Sequence, residues 1–138
     1  MQISILSNLK LDDAKEFEIL DPLTGKRSQT YNPKTKKLED TPAFISLFYM
    51  GSKKMKKVQL ELQRKIIELA KDKKEAPTEK EVEDMLFFEM IASYRGLKDD
   101  KGKELEFNEE NTKLLLEAPY IRHLIEEVSS KMGNFSTK

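Results

Sequence analysis

The chain has 138 residues, no cysteine and 25 bases against 25 acids, which sizes it for one domain and excludes disulfides, thiolate metal sites and cysteine nucleophiles. Charged residues make up 36% and hydrophobic residues 38%, giving a wet, charged surface, and the apolar runs are too short to span a bilayer. The charge is uneven: residues 1–50 balance, 51–74 hold nine bases to three acids, and 75–138 hold fifteen acids to nine bases, so the chain can pair with itself, with a second copy or with a charged partner.

The opening "MQISILSNLKL" has neither a basic leader nor a long apolar core, so no secretory signal is expected. Residues 1–50 read as a small β-rich part. Phe17 and Ile19 share one alternation, and "DPLTG" (Asp21, Pro22, Gly25) suits a chain reversal. "NPKTKKLEDTP" reads as a polar loop. "AFISLFYM" has the length and the aromatic and β-branched content of a covered strand.

At Gly51-Ser52 the period changes. Met55, Val58, Leu62, Ile66 and Leu69 recur at helical steps, with Leu60 and Ile67 widening the stripe. Ser52 is a suitable N-cap and Pro77 a stop. This predicts a helix over 52–73. "TEKE" at 78–81 fits a capping box for a second helix over 79–95. Its apolar residues, Phe87, Phe88 and Tyr94 among them, make it the most buried helix, and Gly96 would close it. Asn108 can cap a third helix over 109–117 whose core is Leu114, Leu115 and Leu116. Pro119 opens a fourth over 119–132, with Gly133 closing it and "NFSTK" as a tail. The expected fold class is therefore α+β: a small N-terminal antiparallel sheet (1–50), then a four-helix part (51–138), in one continuous domain.

Chemical motifs are scarce. "DDKGKELEF" misplaces the oxygen ligands and glycine of a calcium loop and reads instead as a β-turn with Gly102. The one histidine, His123, sits in a helical run and reads as a surface or packing residue rather than a catalytic base. The acid pairs Asp12-Asp13, Glu109-Glu110 and Glu126-Glu127 are sequence neighbours, which point apart on a helix instead of facing one cleft. "TGKRS" lacks the upstream glycine and the Lys-Ser/Thr pair of a phosphate loop. No enzyme activity, metal or cofactor is expected. Lys53, Lys54, Lys56 and Lys57 form the densest charge cluster. They read either as the solvated face of the first helix or as a phosphate-contacting patch, without an aromatic platform for bases.

Residues 93–135 resemble the tail assembly chaperones of long-tailed bacteriophages. The matching positions include Tyr94, Gly96, Asp99, Gly102, Phe107, Glu110, Asn111, Leu115, Leu116, Pro119, Ile121 and Phe135. Pro22, Thr24, Gly25 and the Gly51-Ser52 step fit more loosely. The chain departs from that pattern in having no tryptophan where Tyr94 stands, and in a longer, more aromatic segment over 32–50. The resemblance implies a non-enzymatic protein made late in infection and acting in the host cytoplasm. It would bind the tape-measure protein and help recruit tail-tube protein. On this reading Leu114, Leu115, Tyr120, Ile121 and Leu124 are the docking residues, with Lys53, Lys54, Lys56 and Lys57 as an electrostatic second site. The alternatives are a structural virion or tail-connector component, and a small nucleic-acid-binding regulator working through the lysines.

Overall fold

The computed structural model describes residues 11–72, 75–99 and 101–135; the opening segment expected to hold no secretory signal lies outside them except for Leu11. Strands β1 (Lys15–Ile19), β4 (Ala43–Leu47) and β5 (Ile91–Arg95) form an antiparallel sheet in the order β1-β4-β5. Strands β2 (Gln29–Asn32) and β3 (Lys37–Asp40) make a separate antiparallel hairpin. Four helices follow: α1 (Lys53–Lys71), α2 (Glu79–Met90), α3 (Glu109–Leu115) and α4 (Pro119–Ser129). A 3-10 turn over Met132–Phe135 comes after them. The fold is α+β, as expected.

β4 is central because it can be covered on one face and paired on both edges. Ala43, Ile45 and Leu47 point inward and are buried, in the period-two pattern of a half-buried strand. Phe17 and Ile19 of β1 join them through the pairs Phe17↔Ile45 and Ile19↔Ala43. The helices close over that face with Met55 of α1, Phe87 and Met90 of α2, and Ile121 and Ile125 of α4.

On the other face Arg95 of β5 lies over the Phe44 ring, 4.1 Å from its centroid, and reaches Glu16 of β1 with Nε 3.2 Å from Oε2. One guanidinium thus bridges the outer strands across β4. Its hydrogen bond holds the Glu16 carboxyl below its ordinary value against the opposing effect of burial, with a smaller help from its charge. A depressed folded-state pKa stabilises above the unfolded value, and that contribution is lost as pH falls through the folded value. Acidification from neutrality to below about pH 4 is therefore expected to cost stability through this pair. Arg95→Gln should make the urea midpoint less sensitive to that acidification, and an unchanged pH dependence would show that the pair contributes nothing.

The caps follow the sequence. Ser52 Oγ accepts from Met55 N at 3.3 Å, Thr78 Oγ1 from Glu81 N at 3.2 Å, and Asn108 Oδ1 from Asn111 N at 2.8 Å. Pro119 stands in the first turn of α4. "DPLTG" is a reversal closed by Gly25 N to Asp21 O at 2.8 Å, with Gly25 at φ +69°. The acidic loop is a turn too: Asp99 Oδ1 accepts from Lys101 N and Lys103 N, both at 2.9 Å, and Gly102 takes φ +81°.

Four expectations change. The helix expected over 79–95 ends at Met90, and Ile91–Arg95 is a strand paired with β4; the pairing β4 offers on its free edge outweighs local helical periodicity. The sheet therefore draws its third strand from the helical part, and Gly96 closes a strand rather than a helix. The segment 32–42, expected as a polar loop, instead carries the end of β2 and all of β3, in a hairpin held by Gln29–Asp40 (2.9 Å), Asn32–Glu39 (3.1 Å) and other polar contacts. α4 stops at Ser129 and Gly133 lies within the following 3-10 turn. Phe135 is no tail residue: it is 1% exposed and packs on Phe17 and Tyr49, with ring centroids 5.7 and 5.5 Å away.

Candidate docking surfaces

α1 contributes only Met55 to the buried core. Beyond it the helix leans on α2 with Val58, Leu62, Ile66 and Leu69 half-buried. The gap that remains is a trough. Its main part, about 570 Å³, has an apolar floor of Val58, Leu62, Met85, Phe88 and Leu116. The rims alternate in sign: Glu61 and Lys65 on α1, Glu109, Lys113 and Glu117 on the α3 side.

Two smaller hollows continue the trough. One, of about 430 Å³, shares Phe88, Glu89 and Glu109 with it and runs to Phe48 and Phe107. The other, of about 240 Å³, shares Leu62, Lys65 and Met85 and runs to Leu69 and Pro77. From Lys54 in the first to Leu69 in the second, α1 advances fifteen residue steps, about 22 Å at 1.5 Å per residue. That matches roughly four turns of a second helix.

Arg122 of α4 anchors one wall. Its guanidinium binds Asp84 and, at 2.9 Å, Glu83 of α2, and lies 5.2 Å from the Phe87 ring centroid. Burial works against its charge, and the hydrogen bonds it donates to the two carboxylates more than restore it. α2 is thereby fixed to α4 while its other side is left to the trough.

The residues expected to dock divide differently. Ile121 is 5% exposed and belongs to the core, because α4 turns that face to the sheet. Leu115, Tyr120 and Leu124 are partly buried against the core. Leu114 is 56% exposed. None of the five lines the trough, whose lining includes Leu116, just past α3, and Arg122 of α4 instead.

The four lysines also divide. Lys53 Nζ stands 3.9 Å from Asp12, whose Oδ1 also accepts from Lys53 N at 2.8 Å. Lys54 is committed: its Nζ donates to Glu89 O at 3.0 Å and lies 4.1 Å from the Phe48 ring centroid. Lys56 and Lys57 are exposed, with no ion-pair partner among the described residues. His123, exposed on α4, has Nε2 3.4 Å from Glu127.

Among the described residues no three histidine, aspartate or glutamate side chains converge as a metal would need. No helix among them is long and apolar enough to cross a membrane. Comparison with known protein families, characterised proteins and solved structures returns no match.

Proposed function

We propose that the protein is a non-enzymatic assembly chaperone that holds a helical client, the tape-measure protein of a long-tailed bacteriophage, until the tail tube replaces it. The observation that carries this reading is the trough along α1 and α2: apolar at its floor, charged at both rims and long enough for about four helical turns. A helix laid in a groove recognises its site through apolar residues three and four apart. The alternating rim charges suit a client helix with mixed-charge flanks. The resemblance over residues 93–135 supplies the identity of the client.

The test is coexpression with the tape-measure protein. The client should stay soluble and co-purify, and the complex should survive from about 0.1 M to about 1 M salt, because apolar burial is not screened. Leu62→Asp combined with Met85→Asp should weaken it at least about a hundredfold, as two buried side chains worth roughly 1.5–3 kcal/mol each are lost, with circular dichroism confirming that the variant folds. Absence of binding at every salt concentration would sink the reading. Retention of the protein at fixed copy number in finished particles would replace it with a structural role.

A further inference from the structure

The side of α1 turned away from the trough has its own pattern. Leu60 and Ile67 do not join the inner stripe; they are 56% and 55% exposed and lie on the opposite side of the helix from Val58, Leu62 and Leu69. Lys53, Lys57, Leu60, Arg64, Ile67 and Lys71 succeed one another at steps of four, three, four, three and four residues. That is the seam of a heptad repeat, with Leu60 and Ile67 at one core position and Lys57, Arg64 and Lys71 at the other. All six are exposed, and Lys57, Arg64 and Lys71 have no ion-pair partner among the described residues.

We infer that this outer face is a second docking site, for an acidic partner helix that pairs with α1 as a coiled coil. The partner would present apolar residues to Leu60 and Ile67 and carboxylates to Lys57, Arg64 and Lys71. Charge complementarity chooses this occupant over the others. A second copy docked in parallel through the same seam would set Lys57, Arg64 and Lys71 against their own counterparts, and like charges in contact repel. A nucleic acid would meet the exposed carboxylates of Glu61 and Glu68 along one flank of the stripe, and Leu60 and Ile67 at its centre would have no role on a phosphate backbone. A membrane surface needs a broader apolar face than two side chains provide. Basic residues at core positions weaken a coiled coil and set its choice of partner, so the site is built for selectivity. The inference does not depend on the chaperone reading, since trough and seam lie on opposite sides of α1.

The test uses the full chain and two synthetic helices of three heptads. Both carry leucine at the positions facing Leu60 and Ile67; one carries glutamate and the other lysine at the positions facing Lys57, Arg64 and Lys71. Fluorescence anisotropy should show saturable binding of the glutamate peptide and at least about tenfold weaker binding of the lysine peptide. Binding of the glutamate peptide should fall steeply between about 0.1 M and 1 M salt, where the screening length shrinks from about 10 to 3 Å. Leu60→Gln with Ile67→Gln should weaken it at least about tenfold. The triple change Lys57→Glu, Arg64→Glu and Lys71→Glu should reverse the preference. The trough variant Leu62→Asp should leave it intact, so the seam and the chaperone reading can fail separately. Failure of the glutamate peptide to bind the unaltered protein, equal binding of the two peptides, or displacement of the glutamate peptide by duplex DNA would each overturn the inference.

Discussion

Phe135→Ala is expected to lower the stability of the fold by about 3–5 kcal/mol, the usual cost of emptying a buried aromatic site. The ring is 1% exposed, edge-on to Phe17 and tilted against Tyr49. It thereby joins the last described turn to β1 and to the segment after β4. The turn is held in place independently by Asn134, whose Nδ2 donates to Val128 O at 3.1 Å and whose N donates to Lys131 O at 3.1 Å. The cavity left by alanine is therefore poorly placed to collapse. Urea unfolding should show a lower midpoint at an unchanged slope. A loss below about 1 kcal/mol, the ordinary effect of a mild substitution, would mean that the turn is a surface appendage.

Gly96→Ala should cost about 2–5 kcal/mol, from left-handed strain of about 1–2 kcal/mol and overpacking of about 1–3 kcal/mol. Gly96 has φ +77°, and a Cβ there would overlap the Pro42 carbonyl oxygen and stand 3.1 Å from Ala43 Cα. Both obstacles are backbone, at the point where β4 begins, so neither can swing aside. Gly102→Ala is the matched control. Its φ is +81° but a Cβ would meet nothing within 4 Å, so it should show the strain alone. Equal losses at the two positions would remove the close approach from the explanation.

Much of the architecture could be read from the residues because its signals are local. Ser52, Thr78, Asn108 and Pro119 mark helix starts by chemistry that acts within one turn. The end of α2 could not be read in the same way. Ile91 follows Met90 without a glycine or proline, and the chain becomes extended there because β4 has an edge to fill. Nothing within residues 79–95 records that edge. The docking surfaces were harder still. Leu60 and Leu62 are equally apolar, and only the placement of α2 separates the exposed stripe from the trough. Phe88 gave the nearest hint: beside Phe87 it made α2 apolar over more than one stripe, and it lies where the trough and its extension meet.

The central position of β4 also governs how the chain must fold. Its partners are distant in sequence: Ile45 pairs with Phe17 on one side and with Tyr94 on the other. Loops of about thirty and fifty residues must close before either edge is satisfied, and closing long loops slows folding. Transient helical turns at the capped segments form far sooner. During the wait "AFISLFYM" is an uncharged, proline-free run with high β-propensity, the type of segment that pairs with copies of itself when unpaired. Pro42 and Asp40 before it and the lysines from Lys53 onward after it flank that run, in the places where proline and charge hold such segments apart. Charge placed at the start of α1 would, on that principle, also keep β4 available until β5 arrives.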